Sequence, residues 1–185
     1  MIRTLKKHYI LILAVLFIAL WAVALVFISP EELVEKIGVE NTYLVAFLLA
    51  AIGGLSTITG TSFFAAVATF ASGGADPALL GLIGGAGIFL SDSVFFFLAQ
   101  QAVKVFNIDS QSPFRQKVLG FISRVPDWLI GIFVFAYVGL SPLPNDILMI
   151  ALALAKVRYR RIVLALIAGS ITIVLITATL GESIR

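Results

Sequence analysis

With 185 residues, 61% of them apolar and 12% charged, and a mean hydropathy of +1.10, the chain falls outside ordinary soluble composition and reads as a one-domain integral membrane protein. The absence of cysteine excludes disulfides, thiolate chemistry and cysteine-ligated zinc. The net charge of +3 is gathered in short basic clusters, Arg3 to Lys7, Lys104 to Arg124 and Lys156 to Arg161, opposed by Glu31, Glu32, Glu35 and Glu40, a pattern that reports membrane orientation and not a nucleic-acid surface.

The first apolar run, Tyr9 to Ile28, follows Arg3, Lys6 and Lys7 and is expected to be an N-terminal transmembrane anchor (residues 1–28) that starts in the cytoplasm. A signal peptide is the competing reading, since Ala22-Val23-Ala24 resembles a cleavage site, but the apolar run continues past it. His8, the single histidine, is an interfacial residue of the basic flank. Ser29 to Glu40 is expected to be a short helix at the outer surface, with Ser29 as cap, Pro30 in the first turn and Glu31 and Glu32 at the positive end of the dipole.

Between residues 41 and 73 an apolar arm, Tyr43 to Ile52, runs into Gly53-Gly54-Leu55-Ser56-Thr57-Ile58-Thr59-Gly60-Thr61-Ser62, and a second arm runs from Phe63 to Ala71. Glycine and hydroxyl residues at this density weaken a helix, and Thr59, Thr61 or Ser62 is placed to cap the second arm, so a re-entrant hairpin is expected; a single bent crossing helix is the alternative. Residues 77–106 are long enough to cross with tilt or protruding ends. Gly81, Gly84, Gly85 and Gly87 give this helix a smooth face for close packing, and Asp92 falls near mid-span, where a carboxylate must face protein, water or a partner. In residues 107–127, Phe114, Val118, Phe121, Ile122 and Val125 recur at helical spacing, which predicts an amphipathic cytoplasmic segment.

Residues 128–157 form the stretch around which the rest is organised. Ser141-Pro142-Leu143-Pro144-Asn145-Asp146 cuts it in two, because each proline lacks a backbone donor and disfavours helix in the residue before it. The first arm, Trp128 to Leu140, would reach only about 20 Å into a hydrocarbon core about 30 Å thick. Basic residues flank both ends, so a second re-entrant hairpin entering from the cytoplasm is expected, with Asp146 near its tip. A last crossing helix over 161–181 then carries the C-terminus outside. The expected fold is all-α and integral to the membrane: an anchor followed by an inverted repeat of re-entrant hairpin plus transmembrane helix, the design of many transporters.

The lead-in PEELVEKIG, the glycine-rich GLIGGAGIFLSD ending in Asp92, Tyr137 ahead of SPLPND, and KVRYRR before a final helix carrying Gly169 resemble the DedA/VTT superfamily of membrane proteins, which includes SNARE-associated Golgi-type homologues, over roughly Pro30 to Gly181. The resemblance implies translocation of a phospholipid or polyprenyl-phosphate carrier, coupled to protons. The family's arginine three residues before a proline in the second hairpin corresponds to Gly139 before Pro142, and its first-hairpin acids are replaced here by STITGTS.

The candidate substrate-binding or coupling residues are Asp92, Asp146, Asn145, Ser141, Pro142, Pro144, Tyr137, Thr59 and Thr61. Second arms that begin at the tips aim their N-terminal amides inward toward an anionic head group, and aspartates in a low dielectric are candidate proton carriers. The bland alternatives are capping by Asn145 or Asp146, assembly bonds from Asp92, purely architectural prolines and packing by Tyr137. A small-solute or cation exporter and a nonenzymatic membrane assembly factor are the competing functions. No enzyme chemistry, metal or cofactor is expected, since there is no membrane Ser/His dyad or His-rich set. The expected partners are membrane lipids and protons, with no nucleic acid and a homo-oligomer left open; the expected location is the plasma membrane, N-terminus cytoplasmic.

Overall fold

The computed structural model describes residues 41–53, 57–105, 120, 125–141 and 143–183, so the expected anchor, the expected outer helix at 29–40, most of the expected amphipathic segment at 107–127 and Pro142 lie outside the described residues. Six α-helices are described: α1 (Thr42–Gly53), α2 (Thr57–Ser72), α3 (Pro77–Val105), α4 (Asp127–Leu140), α5 (Asn145–Leu154) and α6 (Val163–Glu182), with a 3-10 turn at Tyr159–Arg161. Among the described residues there is no strand, and α3 and α6, at 29 and 20 residues, are long and apolar enough to cross a membrane. This is the composition and helix set of an all-α membrane protein.

α3 starts where Asp76-Pro77 dictates. The Asp76 carboxylate accepts from the amides of Ala78 (2.7 Å) and Leu79 (3.0 Å), and Pro77 fills the first-turn position that needs no donor. α2 and α5 stop by one and the same device. The amide of Ala75 bonds the Phe70 carbonyl and that of Gly74 the Ala71 carbonyl; the amide of Val157 bonds the Leu152 carbonyl and that of Lys156 the Ala153 carbonyl. Both are Schellman caps, which need a left-handed residue, and Gly74 (φ 102) supplies it in one while Lys156 (φ 54) is forced into it in the other. Since a side chain in that region costs about 1–2 kcal/mol, Lys156→Gly is expected to stabilise the protein by up to about 1 kcal/mol, read as a higher Tm in detergent, with Lys156→Ala giving no gain.

Residue pairs fix the relative directions of the helices. Gly81 of α3 lies against Leu175 of α6 and Gly85 against Ile171, so the two long helices are antiparallel. α1 runs parallel to α3: the Tyr43 hydroxyl accepts from the Asp76 amide (3.0 Å), and further along Gly87 lies against Phe47 and Ala50. α2 runs parallel to α6, with Phe63 near Val174 and Ala68 against Gly181. α4 also runs parallel to α6, through Gly131 with Arg161 and Gly139 with Gly169, and α5 runs parallel to α3, through Asn145 with Asp92 and Val157 with Gln100. The chain therefore reverses between α1 and α2, and again between α4 and α5, and each reversal points toward the middle of the α3/α6 pair.

One end of the bundle carries Lys104, Lys156, Arg158, Arg160 and Arg161; the other carries Asp76 and Glu182, all exposed. Two buried apolar clusters fill the interior. One is built on Leu49, Phe63, Val67, Phe70, Leu80 and Val174 under α1 and α2, the other on Phe96, Val134, Met149, Leu152, Ile162 and Leu166 under α4 and α5. α1 ends at Gly53 and α4 at Leu140, and α2 begins at Thr57 and not at Phe63. Thr57 to Ser62 are helical, as backbone groups in an apolar bundle demand, despite their weak propensity.

Candidate functional site

Asp92 is 1% exposed on α3, and its Oδ2 accepts a hydrogen bond of 2.9 Å from the Asn145 side-chain amide at the start of α5. The carboxylate expected at mid-span and the break expected at SPLPND thus meet. Asn145 is the first residue of α5, whose N-cap position is Pro144 and has no side-chain cap; the Asn145 amide reaches across to the neighbouring helix instead of closing its own turn. Asp146, half-buried, lies within electrostatic reach of both Asp92 and Tyr137.

The tip is shaped by two further bonds. The Tyr137 hydroxyl donates to the Pro144 carbonyl (3.1 Å), and the Ser141 hydroxyl oxygen accepts from the Leu143 amide (3.1 Å), a local turn that satisfies backbone groups the two prolines leave unpaired. Tyr137, Ser141, Pro144, Asn145 and Asp146 are therefore brought together with Asp92. Thr59 and Thr61 lie within α2, and their side chains are outside the described residues, as is Pro142.

Below Asp92 the polar line continues. The Ser93 hydroxyl bonds the Phe89 carbonyl and the Tyr159 hydroxyl, each at 2.6 Å, while the Tyr159 ring packs on Phe96 and Phe97. Gln100 donates to the Val157 carbonyl (3.4 Å). Tyr159 and Gln100 are missing from the sequence-derived site, because within VRYRR the arginines dominate the reading and nothing in the spacing ties Tyr159 to Ser93. Next to Asp92, the Ser91 hydroxyl is fully buried with no hydrogen-bond partner, as is that of Ser170 on α6. An unpaired buried hydroxyl costs about 1–3 kcal/mol.

The stretches that build the site, residues 41–103, 128–155 and 162–184, contain no lysine or arginine, and the side-chain partner of Asp92 is the Asn145 amide. Gly139, where the family resemblance would place an arginine, is pressed against α6: a Cβ there would lie 3.1 Å from the Gly169 Cα and 3.3 Å from its carbonyl oxygen. The close approach of α4 to α6 leaves a long side chain no room without displacing a helix. Among the described residues there is no group of three acidic, histidine or cysteine side chains able to hold a metal ion.

No family model, curated protein or solved structure matches this chain.

Proposed function

We propose that the protein is a multi-pass plasma-membrane lipid translocase of DedA/VTT type, built as an inverted repeat of a re-entrant hairpin and a crossing helix, with its polar station where Asp92 meets the second hairpin. The observation that carries the reading is the Asp92–Asn145 bond: a carboxylate held inside an apolar bundle against the tip of a broken helix, where a covered polar group needs a function or a partner to offset its desolvation.

The repeat has support in register. The cap residues Gly74 and Lys156 stand 82 positions apart, and so do Gly87 and Gly169, each of which lies against the first arm of its own hairpin. The helix pairings exchange in the same way: α1 packs on α3 as α4 packs on α6, and α2 packs on α6 as α5 packs on α3. The open ends of the two hairpins lie at opposite ends of the bundle, and α1, α4 and α5, at 12, 14 and 10 residues, are each too short to span about 30 Å of hydrocarbon. Positive-inside placement puts the Lys104 and Arg158 to Arg161 end in the cytoplasm.

In this reading a proton on Asp92 or Asp146 removes the charge that repels a phosphate, and the α5 amides then face the head group. The absence of lysine and arginine from residues 41–103, 128–155 and 162–184 specifically favours one other reading, a cation exporter using the same two carboxylates. Proteoliposomes separate the two. Movement of acyl-labelled phospholipid between leaflets, without release of trapped cations, is the expected result; cation flux without lipid movement would replace the translocase with the exporter, and neither activity would leave an assembly role.

A further inference from the structure

The 82-residue register that relates the two caps also relates the two junctions between second arms and crossing helices. It carries Phe63 of α2 onto Asn145 of α5, and Asp92 of α3 onto Val174 of α6. Both pairs meet their own partners in space: Asn145 bonds Asp92, while Phe63 and Val174 close together over Gly84, whose Cβ position lies 3.3 Å from the Phe63 ring and 3.1 Å from Val174 Cγ1. The same joint is thus built once from a carboxylate and an amide, and once from hydrocarbon. The apolar version is buried to 3% and 0% exposure, so the architecture needs no polar pair at this joint.

The contrast extends along each column. Asp92, Ser93, Tyr159 and Gln100 provide polar groups from the station to the basic end, beside the buried apolar cluster of Phe96, Met149 and Leu152, and α5 with its following turn makes three side-chain hydrogen bonds to α3. Among the described side chains of α2, Ser62 to Ser72, none hydrogen-bonds to α6, and Phe63, Val174, Phe70, Leu80 and Ala178 are buried hydrocarbon. The two junctions lie about 12 Å apart along α3, as eight residues separate Gly84 from Asp92.

We propose that Phe63 and Val174 form an apolar seal, the counterpart of the Asp92–Asn145 station, so that the station communicates with the basic end of the bundle and is closed from the acidic end. The inference rests on the inverted-repeat reading above. A seal of this kind works by desolvation: water or a head group passing it meets no hydrogen-bond partner. Gly84 lets the two side chains close against backbone, where a larger residue would hold them apart.

The cysteine-free chain allows a direct test. In sealed vesicles of both orientations, Ser91→Cys, which places a thiol beside Asp92, is expected to react with a membrane-impermeant methanethiosulfonate at least tenfold faster from the basic side. Adding Phe63→Ala and Val174→Ala is expected to bring the two sides within about twofold, and adding Phe63→Leu to preserve the difference. If the double alanine variant does not fold, Val174→Ala alone is expected to cut the ratio at least threefold. Equal labelling of Ser91→Cys from both sides, faster labelling from the acidic side, no labelling from either, or a ratio unmoved by the alanine substitutions would overturn the seal. Labelling requires no transport, so a one-sided station in a protein that moves no lipid would retain the seal and remove the translocase.

Discussion

Gly87→Leu is expected to be strongly destabilising. A Cβ at Gly87 would stand 2.6 Å from both the Phe47 carbonyl oxygen and the Ala50 Cβ, and 3.1 Å from the Ala51 amide nitrogen. These are atoms on or next to the α1 backbone, so relief requires moving the helix, and the change is expected to cost about 3 kcal/mol or more, at the upper end of overpacking. Gly84→Ala meets only the ends of Phe63 and Val174 and is expected to cost less than half as much. Thermal unfolding in detergent, read by loss of monodisperse protein, distinguishes the two; equal Tm values for Gly87→Leu and the unsubstituted chain would mean that α1 does not lie on α3 as described.

Asp92→Asn is expected to have the largest effect on activity with little effect on folding. It leaves the shape of the junction and keeps a hydrogen-bonding group opposite Asn145, but it abolishes the charge and the proton site, and lipid movement in proteoliposomes is expected to fall more than tenfold with expression within twofold of the unsubstituted chain. In the proposed repeat Val174 is the equivalent of Asp92 and Phe63 that of Asn145. Asp92→Val alone strands the Asn145 amide and is expected to cost about 1–3 kcal/mol, whereas replacing both partners by fitting hydrocarbon is often nearly neutral. Asp92→Val with Asn145→Leu is therefore expected to recover most of that stability and to be inactive. Activity retained in Asp92→Asn, with stability not recovered in the double variant, would make the carboxylate a structural bond.

Much of the bundle is legible in the chain because lipid-length arithmetic is unforgiving. Pro142 and Pro144 mark the break between α4 and α5, and the spacing of Gly81, Gly84, Gly85 and Gly87 marks the face where α3 meets α6 and α1. Asp76-Pro77 also announces the start of α3 by its cap chemistry, a signal that apolar length alone does not use. The start of α2 was less readable. Glycine and threonine at 57–62 have low intrinsic helix propensity, and the demand of an apolar bundle for paired backbone groups overrides it.

For the site, scarcity was the guide: Asp92 and Asp146 are the only acids within the apolar spans, and they come together. Their partners were not readable. Asn145 looks like a cap in sequence, and only the direction of α5 beside α3 turns its amide toward Asp92. Nor is the register of 82 visible from sequence identity, since Gly74 answers to Lys156 and Asp92 to Val174.

The account depends on both hairpins entering and leaving on one side. Single cysteines at Asn41 and Ala78 bracket the first hairpin, and at Trp128 and Arg158 the second, all at exposed positions. With an impermeant thiol reagent on oriented vesicles, the first pair is expected to label together from one side and the second pair together from the other. Labelling of Asn41→Cys and Ala78→Cys, or of Trp128→Cys and Arg158→Cys, from opposite sides would contradict the account.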